Sequence, residues 1–187
     1  MRTNRFNVWP ILRGHWKALR NHGRADVAAR FGLLFIPLAV FAIGWGRSWR
    51  LGAPTALLSG LALLAGALLG SFTHLSTLRM KVSEWSDVDS DRYSVERDQL
   101  DETAAHLLTA ALAAALAAAS IVVGLNVQEP SSDPKLSNTL SGFWGALALG
   151  LGTFVLESFI VCLPRLYSAY VEINKVPPKL SGFAKGR

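Results

Sequence analysis

Apolar residues in this chain are gathered into four long blocks. The blocks cover residues 27–45, 54–72, 104–127 and 140–163 and hold almost no charged side chain. A helix rises about 1.5 Å per residue, so each block is long enough to cross a hydrocarbon core of about 30 Å. A soluble helix cannot keep so wide an apolar surface away from water. The pattern predicts an all-α integral membrane four-helix bundle over residues 27–163.

The segment before the first block predicts a basic amphipathic helix in the membrane interface. Large apolar side chains recur at helical spacing on one face, and cations occupy the other face. We expect this helix, within a cytoplasmic segment 1–26, to orient the chain; a regulatory or partner-binding helix is the alternative. His15 and His22, seven residues apart on this segment, are expected to be solvated. The predicted interface-anchoring residues are Trp9, Arg13, Trp16, Lys17 and Arg20.

Lysine and arginine are unevenly divided among the segments that flank the blocks. Of nineteen such residues, sixteen lie around the N terminus, between the second and third blocks, or after the fourth block. The other two connectors hold Arg47, Arg50 and Lys135. Cationic residues resist transfer across the inner membrane, so this bias predicts a bacterial inner-membrane protein with cytoplasmic N and C termini. The net charge of +6 then reflects topology and attraction to anionic lipid headgroups rather than a nucleic-acid partner.

Several positions inside the blocks, or directly before them, predict how the spans begin, bend and pack. Asp26 is placed to cap the first span, and Pro37 predicts a kink near its middle. Small residues at four-residue intervals permit close helix contact, either within the chain or between copies in a homo-oligomer. The nearly continuous alanines of 110–119 are expected to be buried between helices or between subunits. The predicted packing and oligomer residues are Gly66, Gly70, Gly142, Ala146 and Gly150.

The connector between the second and third blocks, residues 73–103, is the largest element predicted on the cytoplasmic side. Its leucine, valine and tryptophan side chains lie at helical spacing, which predicts that the second span continues as a helix beyond the membrane. An acidic break at 87–91 precedes a helical return into the third span. We expect a short cytoplasmic helical hairpin that binds a cytosolic protein partner. A basic tail, 164–187, completes the predicted cytoplasmic side.

Glu157 is the residue whose position points most directly to a function. A carboxylate about two turns inside the cytoplasmic end of the fourth span is costly in hydrocarbon, so it has to be neutral, paired or reached by water. Its polar partners are predicted among His74, His106 and Arg165. A role in a pore, a proton path or a switch is one interpretation, and a structural hydrogen bond or contact with the interface is the other.

The sequence carries no motif for enzymatic chemistry. It holds no glycine-rich phosphate loop, nucleophile elbow, paired metal-ligand motif or haem-attachment motif. His74, His106 and Glu157 match a zinc site in residue type, but nothing in the sequence fixes the convergent geometry that zinc needs. The single cysteine, Cys162, excludes an internal disulfide. We therefore expect a non-enzymatic protein without a cofactor or metal.

The stretches ILRGHWKALR at 11–20 and SGLALLAG at 59–66, with a proline in the middle of the first span, resemble uncharacterised four-span bacterial membrane proteins. Some of these small proteins accompany antiphage-defence genes. The resemblance covers the N-terminal half and carries over no site residues. It implies a membrane sensor or effector that works with a cytosolic partner and, when triggered, oligomerises or perturbs the bilayer.

Two classes of function follow from these features. The first is an oligomeric membrane sensor, effector or pore-forming component that acts with a cytosolic partner, including in phage defence. A pore would have to be lined by the few polar side chains of the spans. The second class is a membrane scaffold or assembly subunit that recruits cytosolic proteins through the hairpin. A small transporter or a lipid-modifying enzyme is a third interpretation.

Overall fold

A computed structural model of the chain describes residues 8–21, 24–86, 94–128 and 138–173. Regular structure within these residues is helical except for one short pairing of strands. The elements, in chain order, are α1 (Trp9–Ala18), β1 (Arg20–Asn21), β2 (Arg24–Ala25), α2 (Val27–Gly46), α3 (Pro54–Ser86), α4 (Ser94–Val127) and α5 (Gly142–Ile173). β1 and β2 pair antiparallel, with Arg20 opposite Ala25.

The four helices from α2 to α5 are long and apolar enough to cross a membrane. Their apolar stretches are Val27–Gly46, Pro54–Met80, Leu100–Val127 and Gly142–Ser168. Each stretch overlaps one predicted block, so the prediction of an all-helical, multi-pass membrane protein is confirmed by helix length and composition. The side of the membrane on which the termini lie stays a prediction.

The first turn and the middle of α2 carry two residues that the sequence singles out. Asp26 is the N-cap, as predicted, and its Oδ1 accepts a hydrogen bond from the Ala29 amide at 3.0 Å. Pro37 lies inside the helix, where it removes one amide donor. Pro37 is buried because its face of α2 packs against α5. The kink at this position stays a prediction.

The four long helices pack in the order α3, α4, α5, α2, which differs from their order in the chain. α4 and α5 form the centre, α3 packs against α4, and α2 packs against α5. α2 and α3 are consecutive in the sequence, yet they have no extended contact within the described residues. The two edge helices therefore turn most of their apolar surface outward, as helices that face lipid do.

α4 is the most buried of the four long helices, and many of its buried side chains are small. Ala110, Ala114 and Ala117 are fully buried, and Leu107 and Ile121 continue the same face. Alanine lets helix backbones approach closely, and the resulting dispersion contacts drive association where lipid removes the hydrophobic drive. The prediction that the alanine-rich span is buried between helices is confirmed.

Two of the predicted packing residues, Ala146 and Gly150, place α5 close to α2. A Cβ atom built on Gly150 would lie 3.0 Å from the Pro37 carbonyl oxygen. A Cβ atom built on Gly44 would lie 3.6 Å from the Ala146 Cβ. The absence of larger side chains at these positions lets the two backbones come together.

The other three predicted packing residues, Gly66, Gly70 and Gly142, contact no neighbouring helix among the described residues. A Cβ atom at any of them would meet nothing within 4 Å. Gly142 begins α5 with a φ of +68°, a left-handed conformation that favours glycine, so backbone geometry accounts for this residue. Gly66 and Gly70 are exposed on α3, where packing against a second copy of the chain stays a prediction.

Paired hydrogen bonds join the connectors at one end of the long helices. The Leu51 amide donates to the Leu140 carbonyl at 2.8 Å, and the Leu140 amide donates to the Leu51 carbonyl at 3.0 Å. The Ser141 amide donates to the Gln128 side chain at 3.0 Å. These bonds fix the start of α5 to both the α2–α3 connector and the end of α4.

At the opposite end, α3 and α4 extend past their apolar stretches, as predicted for the hairpin. α3 continues to Ser86 and α4 begins at Ser94. Val82 is buried in the same apolar cluster as the α4 side chains. Arg79 and Asp101 form an exposed ion pair, with Arg79 Nε 3.2 Å from Asp101 Oδ1, which contributes little to stability because water screens it. The acidic break and residues 174–187 of the tail lie outside the described residues.

Candidate functional site

α1 is packed directly against α4. A Cβ atom built on Gly14 would fall 3.1 Å from the Ala105 Cβ, so the two backbones are close at this point. Ala18 and Leu19, at the C-terminal end of α1, are fully buried. Small residues at positions 14 and 18 therefore determine how near α1 comes to α4.

Two histidines meet where α1 and α4 touch. His15 Nδ1 and His106 Nδ1 are 2.7 Å apart, a hydrogen-bond distance. The ring centroids lie 4.4 Å apart, and the ring planes are inclined by 79°. Neither side chain is more than 1% exposed. The pair links α1, which lies outside the candidate spans, to the most buried of the spans.

A single proton lies between the two Nδ1 atoms. Each neutral imidazole has one N–H and one acceptor nitrogen, so one ring donates and the other accepts. A first added proton goes to Nε2 of the donating ring and leaves this bond in place. A second added proton on the accepting Nδ1 sets two N–H groups against each other at 2.7 Å. The contact is therefore incompatible with two fully protonated rings.

The expectation that His15 is solvated is wrong. α1 turns this side chain toward α4, because the small residues on the same face bring the two helices together. His106 does contact a second histidine, but that histidine is His15, whereas His74 is exposed. His22 lies outside the described residues.

α5 also contributes to the site. The His15 ring lies 5.9 Å from the Phe154 ring of α5, centroid to centroid, and 5.8 Å from the ring of its neighbour Trp16. Thr103, three residues before His106 on α4, is buried as well. The pair therefore lies where α1, α4 and α5 meet.

Glu157 lies on α5, three residues beyond Phe154. It is partly buried, and its Oε2 is buried without a hydrogen-bond partner among the described residues. Within those residues no hydrogen bond or ion pair joins Glu157 to His74 or His106, and the Arg165 side chain is not among them. A buried carboxylate oxygen without a partner is costly, so a functional role for Glu157 stays a prediction that this geometry favours.

The predicted interface anchors divide between exposed and packed positions. Trp9, Arg13 and Lys17 are exposed, and the Arg13 guanidinium carbon lies 5.5 Å from the Trp9 ring centroid, a cation–π distance. Trp16 is half-buried. The Arg20 side chain lies outside the described part. The exposed set is consistent with an interfacial position, which stays a prediction.

Arg30, near the start of α2, gives α1 a second link to the spans. Its Nη2 donates to the Trp16 carbonyl oxygen at 2.5 Å. Sequence reasoning counts Arg30 only as one of the cations that orient the chain. The local pattern does not show that this side chain turns back toward a residue fourteen positions earlier.

The hydroxyl groups of the spans bond mainly within their own helices. Thr109, Ser120 and Thr153 each donate to a backbone carbonyl three or four residues earlier. These donors are therefore satisfied without a neighbouring helix. Among the described residues, no three histidine, cysteine, aspartate or glutamate side chains are grouped so that they could hold a metal ion.

No family model, no curated protein and no solved structure matches the chain.

Proposed function

We propose that the chain is a non-enzymatic membrane sensor of the bacterial inner membrane, in which protonation of the His15–His106 pair releases α1 from the spans. The released helix then engages a cytosolic partner, which is the effector step. One observation carries the proposal, the 2.7 Å contact between two histidines that water does not reach. Histidine ordinarily changes its charge near pH 6.5, so its protonation responds to pH changes within the physiological range.

The direction of the response follows from the number of protons that each state binds. Docked α1 keeps one proton between the rings, whereas a released α1 exposes both imidazoles to water, where each can be fully protonated. Because the released state binds more protons, its population rises as the pH falls. Each additional proton bound on release contributes up to about tenfold per pH unit to the equilibrium.

Charged groups on the packed elements adjust the pH of release. Glu102 lies about one turn before His106 on α4, and Glu157 lies about one turn after Phe154 on α5. The cations of α1, at positions 13 and 17, are exposed to solvent. Carboxylates favour added protons on the pair, and cations oppose them. The charged residues within about two turns of the site are Arg13 and Lys17 on α1, Arg30 on α2, Asp101 and Glu102 on α4, and Glu157 on α5.

Cysteine labelling measures the release of α1. In a Cys162→Ala background, Leu19→Cys places a thiol at a fully buried position at the end of α1, and Lys17→Cys places one at an exposed position two residues away. We expect the labelling rate of Leu19→Cys, divided by that of Lys17→Cys at the same pH, to rise as the pH falls from about 8 to about 5. The ratio removes the intrinsic pH dependence of thiol reactivity.

The same ratio in the double variant His15→Leu, His106→Leu is expected to be independent of pH, because the titrating groups are gone. A ratio that does not change with pH in the wild-type histidine background would refute the sensor. A pH response that survives in the double variant would assign it to another group.

The uneven distribution of lysine and arginine supports cytoplasmic termini. With that orientation, α1 lies on the side of the membrane that a cytosolic partner can reach. Oligomerisation is part of the proposal through the exposed glycines of α3, Gly66 and Gly70. The sensor is favoured over a pore, since three hydroxyl groups of the spans already donate within their own helices. A role in phage defence rests on the sequence resemblance alone.

A membrane scaffold is the second candidate, and the projecting ends of α3 and α4 favour it. These ends are helical beyond the apolar stretches, Val82 and Leu100 are buried, and Arg79 pairs with Asp101. A preformed helical pair loses little conformational entropy on binding a partner. Replacing residues 77–103 with an unrelated helical hairpin is expected to abolish co-purification of a cytosolic partner while membrane insertion is retained. Co-purification that persists after this replacement would exclude the hairpin as the recruiting surface.

A further inference from the structure

An apolar groove of about 330 Å³ runs between α2 and α5. Leu34, Leu38 and Phe41 lie along its α2 side, and Leu147 and Leu151 lie along its α5 side. Gly150 also lines the groove, at a point where α2 and α5 are so close that an added Cβ would lie 3.0 Å from the Phe41 Cβ. The groove lies within the candidate spans, where the surrounding solvent is lipid.

A cation lies at one end of this groove. Arg30 precedes Leu34 by one helical turn, and Leu34, Leu38 and Phe41 continue the same stripe of α2. The Arg30 guanidinium is partly buried, and its Nε has no hydrogen-bond partner among the described residues. Its Nη2 bonds to a neutral carbonyl group, and no carboxylate pairs with the guanidinium among the residues that the structure describes.

The nearest carboxylate along the chain does not neutralise Arg30. Asp26 lies one turn earlier, but its Oδ1 accepts from the Ala29 amide as the helix cap, and no ion pair joins it to Arg30 within the described residues. A guanidinium that is half removed from water favours an anion with oxygen acceptors, and phosphate fits its planar set of donors.

The length of the stripe matches one leaflet of a bilayer. Arg30 and Phe41 are eleven residues apart, which corresponds to about 16 Å along the helix. Half of a hydrocarbon core is about 15 Å. A lipid whose phosphate lies at Arg30 therefore has its acyl chain alongside the whole groove.

We propose that the α2–α5 groove and Arg30 form a binding site for one anionic phospholipid, in the leaflet on the α1 side. The acyl chain lies against Leu34, Leu38 and Phe41, and the phosphate binds the Arg30 guanidinium. The site goes beyond the sensor function and does not require the histidine pair to titrate. Because Arg30 also holds the Trp16 carbonyl, the bound lipid lies next to the docked end of α1.

Native mass spectrometry of the detergent-solubilised protein tests this site. Dioleoyl phosphatidylglycerol and dioleoyl phosphatidylcholine are titrated separately at about pH 8, where the histidine pair keeps its bond. We expect one tightly bound phosphatidylglycerol and weaker binding of phosphatidylcholine. Arg30→Gln is expected to weaken phosphatidylglycerol binding about tenfold, because a charged hydrogen bond is lost. Arg50→Gln, which removes an exposed cation beyond the opposite end of α2, is the matched control and is expected to bind as the wild type does.

A second variant tests the acyl chain separately from the charge. Leu34→Trp fills the groove from an exposed position and leaves Arg30 in place, so it is expected to weaken binding of phosphatidylglycerol. Equal affinity of the wild type for the two lipids, or wild-type affinity in Leu34→Trp, would overturn the site. These two measurements decide the question even where Arg30→Gln does not fold. Neither lipid-binding measurement depends on the pH response of α1. A negative result for the lipid site therefore does not refute the pH sensor, and a negative result for the sensor does not refute the lipid site.

Discussion

Gly124→Ala is expected to lower the free energy of unfolding by about 1–3 kcal/mol, the usual effect of overpacking a tight contact. A Cβ atom at this position would lie 2.6 Å from the Trp144 Cβ and 2.7 Å from a Leu140 methyl group. The leucine methyl can rotate away, but the Trp144 Cβ is fixed to the backbone of α5. α4 and α5 would therefore have to separate. The measurement is the fraction of sodium dodecyl sulfate at which the micelle-bound protein loses its helical circular dichroism.

Gly66→Ala is the matched control, because the added methyl group meets nothing within 4 Å. We expect its stability to stay within about 0.5 kcal/mol of the wild type, as for other exposed substitutions. If Gly124→Ala unfolded at the same detergent fraction as Gly66→Ala, the close contact between α4 and α5 would be disproved.

Removing one histidine of the pair is expected to loosen α1 more than removing both. His106→Leu leaves His15 Nδ1 in a buried site without the hydrogen bond it makes in the wild type, which costs about 1–3 kcal/mol. Replacing both rings by leucine removes the polar atoms together and is nearly neutral in comparison. The measurement is the Leu19→Cys to Lys17→Cys labelling ratio at about pH 8, in each single variant and in the double variant.

The difference between the double variant and the sum of the single variants gives the coupling energy of the pair. His74→Leu serves as the control, since this histidine is exposed and its loss is not expected to change the ratio. Additive effects of the two single variants would mean that the rings do not act as a pair, and the sensor would lose its physical basis.

The spans were predictable because they depend on local sequence. Long apolar blocks fix where the helices cross a membrane, and Asp26 caps the first of them as its residue type predicts. The alanines of the third block indicate burial, since small apolar side chains gain more from helix contact than from lipid. These properties are carried by neighbouring residues and need no knowledge of the rest of the fold.

The histidine pair could not be predicted because its members are 91 positions apart. The periodicity of α1 predicts a helix whose large apolar side chains face the membrane interface and whose His15 is solvated, yet His15, Ala18 and Leu19 are buried. Gly14 and Ala18 were the available indication, as small residues on a helix face allow close approach. The partner of that face depends on helix order, which the sequence pattern does not determine.

Local sequence also does not determine which small residues of the spans contact a neighbouring helix. Gly150 and Gly66 occupy similar surroundings in the sequence, but Gly150 touches α2 whereas Gly66 faces outward on α3. The difference arises because α2 packs against α5 instead of against its chain neighbour α3. Spacing alone identifies where a close approach is permitted, and the packing order decides where it occurs.

The paired bonds between Leu51 and Leu140 make the two ends of the molecule mechanically unequal. Tilting of α2 or α3 relative to α5 has to pivot about this point, since translation there would break both bonds. The displacement of each helix then grows with distance from the pivot and is largest beside α1. Departure of α1 would thus let the helix ends beside it splay while the ends at Leu51 and Leu140 stay in register, so that a change at one imidazole pair becomes a change in the cross-section of the protein at one end only.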